Sequence, residues 1–368
     1  MDRKTLLGKL SIVEPAISSR ELIPILNHIW FTGTRVMAFN DQIAISTDLK
    51  TEFRGAVPGP LLLGLLRKSR GENVIFEPDD NSVLIKVGGS KITMALLPPE
   101  QFVHEMPKSP TEDEDLARPV KDRKVQPWEQ LVTGVDCCLH SITAHDSSDP
   151  NQLGMTIIPD GEDLHLYATD NSTITHCLVD LGRKTNLRDR VILCRPFCEQ
   201  LVTLTQAGNN GFKGRTRLAV RNDHAIATIG DMTLFGRLIS NTQPLDFQEI
   251  IAHHVEENIK LLQIPTALRG ALERAELLTS APMAETKATI EVKGGVMTIS
   301  SKTGNSELRD RVFDKDRKLL KTHPDVTVRM NPKLLKDGEA RFDRFLVTEK
   351  CAIMRKDGAV YLVAATSA

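Results

Sequence analysis

Two carboxylates are the first residues of this chain whose types and setting could do chemistry. Asp48 ends the run Ser46-Thr47-Asp48, and Asp170 ends Ala168-Thr169-Asp170, each at the close of a segment that reads as a strand. A carboxylate pair could divide general acid and general base work in a hydrolase. The simpler reading is that both cap turns at equivalent places, because no nucleophile and base accompany them. His253-His254, followed by Glu256 and Glu257, has metal-ligand residue types, but the run sits in a connection between two similar segments and reads better as solvated. Cys194 and Cys198 lie one helical turn apart and read as buried thiols rather than as two ligands. No phosphate-cradling glycine loop, no G-x-S-x-G and no H-E-x-x-H occurs. No metal, no cofactor and no enzymatic activity are expected.

The basic residues are more suggestive. Arg3, Lys4 and Lys9 lie on a first helix, and Arg67, Lys68 and Arg70 cluster at the end of a second. Arg195 opens a helix in the middle of the chain, Arg269 and Arg274 lie off the apolar stripe of a later one, and Lys333 and Lys336 are on the last. One such helix is ordinarily just a solvated face. Recurrence of basic helices in similar segments would suit a surface lined by phosphates. No aromatics interleave with them, so stacking on single strands does not fit and sequence-blind contact with a duplex backbone does.

The elements that carry these residues repeat. His224 to Phe247 reads as two short strands turning at Gly230-Asp231 and leaving through Pro244 to an aromatic. Val83 to Phe102 follows the same plan with a turn at Gly88-Gly89, and a third copy runs from Ala352 to Val363 through Asp357-Gly358. Helices are expected over Arg3 to Val13, after Gly59-Pro60, after Pro127, after Arg195-Pro196, after Pro265 and after Asn331-Pro332. Pro60, Pro196 and Pro332 are 136 residues apart both times, and Pro127 and Pro265 are 138 apart. Each segment reads helix, strands, helix, strands. The fold class is therefore α+β, with three similar domains at residues 1–118, 119–250 and 251–368, and His104 to Val125 reads as a linker. Residues 248 to 260 read as a connection.

Composition sets bounds. The 368 residues are 40% hydrophobic, 26% charged and 4% aromatic, with a formal net charge of −1. A uniformly basic nucleic-acid binder is excluded, but a basic surface on an acidic body is not. No apolar run approaches the length of a membrane span, and MDRKTLLGKL has no signal-like apolar region, so a cytoplasmic protein with no membrane partner is expected. Six cysteines at these spacings make neither a disulfide framework nor a zinc site.

With this repeat in place the chain resembles the bacterial DNA polymerase III beta subunit, the sliding clamp family. The likeness rests on Ser19-Arg20 before Pro24-Ile25-Leu26, on Thr47-Asp48-Leu49, and on Leu97-Pro98 with Phe102. It continues in Gly154-Met155, Ala168-Thr169-Asp170, Pro244-Leu245-Asp246-Phe247 and the run Leu272 to Leu278. No one of these is specific; their order on a threefold repeat is. The resemblance implies a DNA-clamp fold, with two helices of each domain on an inner side and antiparallel sheets outside. It implies a head-to-tail homodimeric ring around duplex DNA that tethers a DNA polymerase and is placed by a clamp loader. Arg20 matches a DNA-contacting arginine, and Ser147 to Gln152 match a DNA-contacting loop without its usual tyrosines. The dimer contact would use Phe102 against Leu277 and Leu278 of the other copy; Leu278 also continues the helix stripe, so core is an equal reading there.

The family's partner-peptide pocket maps onto Thr169, Asn171, Ser172, Thr173, Ile174, Pro244, Ile250, Leu362 and Val363. Here the sequence departs from the pattern. Asn171-Ser172-Thr173-Ile174 stand where the family has Gly-His-Arg-Leu, and the tail ends Ala364-Ala365-Thr366-Ser367-Ala368 instead of near Met-Pro-Met. These departures imply a less apolar pocket and suggest a divergent clamp with its own polymerase, a phage or plasmid origin being one reading. The alternatives are a repeat-built protein scaffold that never encircles DNA, and the hydrolase using Asp48 or Asp170.

Overall fold

A computed structural model gives the fold. It describes residues 1–19, 23–102, 105–145, 147–209, 216–240, 243–255, 259–280, 286–304, 306–312 and 322–367. Arg20 lies outside the described residues, as do Glu256 and Glu257. The helices are α1 (Arg3–Val13), α2 (Gly59–Lys68), α3 (Pro127–Cys138), α4 (Arg195–Asn209), α5 (Phe247–His254), α6 (Leu268–Thr279) and α7 (Pro332–Glu339). No described helix is long and apolar enough to cross a membrane.

The helices start where side chains supply missing acceptors or where proline fits. Asp2 accepts from the Thr5 amide at 2.7 Å to open α1, whose stripe Leu6, Leu10 and Val13 is fully buried. Pro60 sits in the first turn of α2, and Leu62, Leu63 and Leu66 are its buried face. Asn331 accepts from the Lys333 amide at 3.0 Å to open α7. Helix α5 lies where only a connection was expected. Asp246 caps it by accepting from the Glu249 amide at 2.9 Å.

The chain divides into two compact units, residues 1–133 with 181–239 and residues 134–180 with 240–368. Strand pairing explains why these do not coincide with the sequence repeats. In the first unit the hairpin His224–Ile229 and Met232–Arg237 turns at Gly230, whose φ of +63° suits glycine. Its second strand pairs antiparallel with Ile43–Asp48, so that Leu234 faces Ile45. A seven-stranded sheet results, in the order Thr216–Val220, His224–Ile229, Met232–Arg237, Ile43–Asp48, Arg35–Phe39, His28–Phe31, Gly55–Pro58. It joins strands from the first and second sequence repeats.

The second unit repeats this device one step later in the chain. The hairpin Cys351–Lys356 and Ala359–Ala364 pairs through its second strand with Thr173–Asp180, and Leu362 faces Ile174. Strands Gly154–Asp160 and Asp163–Thr169 extend that sheet on one side, and Arg344–Val347 and Leu262–Gln263 on the other. Two smaller sheets remain. In the first unit Val74–Pro78, Ser82–Val87 and Ser90–Ala95 form a three-stranded sheet with Ser90–Ala95 at one edge. In the second, Ser306–Val312 is the edge of a sheet that continues through Val296–Thr303, Ala288–Lys293, Val326–Met330 and Thr366–Ser367.

The segment expected to be a linker has no helix or strand over residues 105–126, but it is docked on its own unit. The Leu116 amide donates to the Leu218 carbonyl at 2.7 Å, and Leu116 and Ala117 are buried. The Asp115 carboxylate accepts from the Leu218 and Ala117 amides, and Arg221 pairs with Glu114 at 3.1 Å. That pairing, with the Thr111 amide, holds the Glu114 carboxyl down at about 2.

In the second unit α7 lies against the closing hairpin through Gly338. A Cβ there would meet Met354 Sδ at 2.5 Å and the Tyr361 ring at 2.6 Å. Tyr361 cannot retreat. It is fully buried, edge-on to His140 at 4.6 Å, stacked on Phe342 at 5.6 Å, and donates to the Leu334 carbonyl at 3.0 Å. Gly338→Ala is therefore expected to lower stability by about 2 kcal/mol, overpacking outweighing the gain in helix propensity. Urea unfolding followed by circular dichroism checks this; an unchanged midpoint would contradict the packing.

Candidate functional site

One concavity among the described residues lies in the second unit and is built on the turn after Thr169. Asp170 Oδ1 accepts from the Ser172 amide at 2.9 Å, the Thr173 amide at 2.7 Å and the Thr173 hydroxyl at 2.8 Å. Asn171 takes φ +68°, which asparagine tolerates. The Thr169 hydroxyl closes the turn by donating to the Thr173 carbonyl at 2.8 Å. Asp170 thus holds a turn, as the simpler sequence reading expects. Asp48 instead is exposed and pairs with Arg35 at 3.1 Å.

Helix α5 forms the facing wall. Its first residue, Phe247, stacks on Tyr167 at 4.9 Å, and Ile251 packs onto the buried cluster of Val255, Cys351, Ile353 and Leu362. Between turn, helix and strands lies a cavity of about 260 Å³. Thr169, Asn171, Ser172, Thr173, Ile174, Ile250 and Leu362 line it, as expected. Pro244 and Val363 do not; Leu245 and Ala364 beside them do. Side-chain alternation along Ala359–Ala364 explains the second shift, because Leu362 and Ala364 share one face while Val363 points into the opposite core.

His254, Lys350 and Cys351 also line the cavity, and sequence reading missed them. The spacing Phe247, Ile250, Ile251, His254 was the available signal for a helical face. His254 Nδ1 donates to the Ile250 carbonyl at 2.8 Å, and Lys350 Nζ lies 3.3 Å from His253 Nε2. His253 and His254 therefore close a helix rather than float in a connection. No carboxylate lines the cavity among the described residues.

The cationic residues expected to meet DNA are mostly engaged. Arg3 donates to the Gly71 carbonyl at 2.7 Å and the Leu66 carbonyl at 2.9 Å. Lys9 pairs with Asp231, Arg67 with Glu14 and Lys336 with Glu276. Arg195 pairs with Glu199 at 2.7 Å, Arg269 with Glu273 at 3.2 Å and Glu339 at 3.3 Å, and Arg274 with Asp310 at 2.5 Å. Lys4, Lys68, Arg70 and Lys333 are exposed, with no ion pair among the described residues. In the loop Ser147 to Gln152, Asp149 caps a short turn and Asn151 is buried, its amide donating to the Gln243 carbonyl at 3.2 Å.

Of the three residues expected at a dimer contact, Leu277 is 74% exposed on α6 and Leu278 is half-buried. Phe102 is half-buried, edge-on to Trp30 at 4.7 Å. Cys194 and Cys198 are buried free thiols, with Cys198 Sγ donating toward the Leu193 carbonyl. No group of three or more His, Cys, Asp or Glu among the described residues is placed to hold a metal.

No family model matches the chain. Curated relatives do. The beta sliding clamp of Pseudomonas aeruginosa is 22% identical over 268 residues, covering 68% of this chain and 67% of that protein. That of Pseudomonas putida is 22% identical over 295 residues, covering 76% of this chain and 74% of that protein. Among solved structures, the Pseudomonas aeruginosa DNA polymerase sliding clamp superposes with a TM-score of 0.78 at 17% identity, over 100% of this chain and 99% of that one. A DNA polymerase III beta subunit from Thermotoga maritima gives 0.78 at 15% identity, over 100% and 98%. The chain carries the beta sliding clamp fold and is a divergent relative of that family.

Proposed function

We propose that the protein is a DNA sliding clamp, a processivity factor whose two copies close head to tail around duplex DNA and tether a polymerase. The observation that carries this reading is the pattern of sheet joining. Twice within the chain, the last strand of one repeat's hairpin pairs with a strand of the preceding repeat. The same step leaves two strands over, Ser90–Ala95 at the edge of the first repeat's sheet and Ser306–Val312 at the edge of the third's. A bare edge is a template for another chain. Pairing Ser90–Ala95 of one copy with Ser306–Val312 of the other applies the internal rule once more and closes a ring of six domains, three per chain at residues 1–118, 119–250 and 251–368. Leu277 stands on the helix that packs beside the second of these edges.

The paired cations suit a ring that slides. Lys9, Arg67, Arg195, Arg269, Arg274 and Lys336 keep the bore positive near acids that moderate it, Arg3 is held by backbone carbonyls, and Lys4, Lys68, Arg70 and Lys333, with Arg20, make the direct phosphate contacts. Such contacts are weak and sequence-blind. The cavity lined by Thr169, Ile174, Ile250 and Leu362 takes a peptide of the polymerase or of the clamp loader. The protein works by topology and catalyses no reaction.

The test uses duplex DNA tethered to beads at one end and biotinylated at the other. Excess protein is added before or after streptavidin caps the free end, and the beads are washed at high salt. A ring enters only over an open end, so retention is expected only when capping comes second. Retention independent of order, or in neither order, would overturn the reading. In the same assay at low salt, Lys68→Ala and Lys333→Ala are each expected to reduce the salt slope of binding by about 0.9. A slope unchanged by both substitutions would remove these lysines from the bore.

A further inference from the structure

The cavity's charge is lopsided, and this bears on what it accepts. Ile174, Ile250, Leu245 and Leu362 give it an apolar floor. One end is cationic. Lys350 sits on a fixed turn, where its amide donates to the Thr348 hydroxyl at 3.3 Å and its carbonyl accepts from the Ala365 amide at 2.9 Å. Its ammonium lies 3.3 Å from His253 Nε2, and no carboxylate among the described residues forms an ion pair with it. His254 spends Nδ1 on its own helix, which leaves Nε2 as the ring atom able to serve an occupant.

Asp170, on the turn that lines the cavity, does not answer this charge. Asp170 is committed to three hydrogen bonds within its own turn. The chain's own tail does not fill the cavity either. Thr366 and Ser367 pair as a strand with Arg329 and Val328, carrying the tail away after Ala364. An apolar floor beside an ammonium that no described carboxylate pairs is complementary to an apolar side chain with a carboxylate close by.

We propose that the cavity selects partner peptides in which an aspartate or glutamate lies within about three residues of the apolar anchor, the carboxylate pairing with Lys350 while His254 Nε2 is left to accept from a peptide N–H. About three residues of extended chain span roughly 10 Å, the scale of a cavity of this size. The inference rests on the reading of the cavity as a partner-peptide site. It adds a specificity that the polar side chains lining the cavity at 169–173 do not supply, since Thr169, Asn171, Ser172 and Thr173 offer only hydroxyl and amide groups. Lys350 is the specificity-determining residue, and Ile250 with Leu362 provides the anchor's contact.

The test is selection of a displayed random heptapeptide library against the full-length protein, repeated on Lys350→Glu and on Ile250→Arg. Wild-type selection is expected to enrich peptides with an acid near an apolar residue. For the strongest synthetic peptide, Asp→Asn should weaken binding roughly ten-fold, as for loss of one charge-assisted hydrogen bond. Lys350→Glu should lose the preference for acids and regain affinity for the peptide carrying lysine in place of the acid. Because Lys350 is exposed, melting temperature should be unchanged; Lys350→Gln, which adds no charge, should lose the acid preference without gaining one for bases. Enriched peptides with no acid preference, still lost on Ile250→Arg, would overturn the specificity and leave the pocket reading intact. No enrichment, or binding indifferent to Ile250→Arg, would overturn both.

Discussion

Leu277→Asp is expected to convert an assembly of twice 40.8 kDa into a single 40.8 kDa chain with an unchanged melting temperature. Leu277 is 74% exposed within one chain, so its side chain contributes little to that chain's core. Exposed substitutions of this kind change stability by about 0.5 kcal/mol or less. In the proposed ring the same side chain is buried at each of two identical contacts. Burying a leucine is worth about 1.5–3 kcal/mol, so both contacts together lose about 3–6 kcal/mol, before the cost of desolvating two carboxylates. That is a weakening of roughly two to four orders of magnitude. Sedimentation equilibrium of wild type, Leu277→Ala and Leu277→Asp reads this directly, with Leu277→Ala between the other two. A Leu277→Asp protein that remains at the wild-type mass would place the contact elsewhere.

Acid is expected to unfold the second unit through two histidines. Burial, and Arg341 for His140 or His165 for His176, holds both pKa values at about 4 against an ordinary 6.5. His140 has Tyr361 edge-on to its ring, and His176 lies parallel to the rings of Tyr167 and His165, at 4.6 and 5.2 Å. A base with a lowered pKa in the folded chain is held neutral there, while the unfolded chain takes up the proton first. The unfolded state therefore gains as pH falls from about 6.5 to about 4. Above that window the two rings add no slope, and below it both states are protonated. The fall from 6.5 to about 4 corresponds to about 3 kcal/mol for each ring, or about 6 kcal/mol together. The Glu114–Arg221 pair acts in the same direction, its folded carboxyl also being held below the ordinary value, but in a lower window, between about 4.5 and 2. Urea midpoints at pH 7, 5.5 and 4.5 should fall steadily in wild type. In His176→Gln the slope should be reduced, whatever its stability at pH 7, the remainder coming from His140 and from His323, whose pKa burial also lowers. A slope equal to wild type would show that His176 is not held neutral in the fold.

Much of the architecture was legible because short-range rules set it. The ends of α1 and α2 follow from Asp2 and from Pro60 with the leucine stripe, and Asn331-Pro332 announces α7. The threefold plan shows in hairpin turns and proline spacing, which are local features. Helix α5 escaped because it is only eight residues long and its cap, Asp246, lies in a stretch already read as the end of a hairpin. Of the nine residues mapped to a partner-peptide pocket, seven line the cavity, whereas Val363 faces the opposite core, a shift of one residue that reverses burial in a strand. Lys350 was invisible, since nothing local ties it to residues 169–174.

The pairing of the cations was illegible for the same reason. Lys9 finds Asp231 at a separation of 222 residues and Lys336 finds Glu276 at 60, each through tertiary packing. Read one helix at a time, these residues look like free positive charge. Folded, each has an acid beside it, which suits the weak, sliding contact with phosphates proposed for them. The formal net charge of −1 is consistent with that balance.

The most direct test of the central claim is X-ray scattering from the protein as it leaves a sizing column. The account predicts a mass of twice 40.8 kDa and a distance distribution with the depleted centre of a hollow ring. A mass of one chain across the whole concentration range, or a filled particle of two chains, would contradict closure of Ser90–Ala95 on Ser306–Val312 and with it the encirclement of DNA.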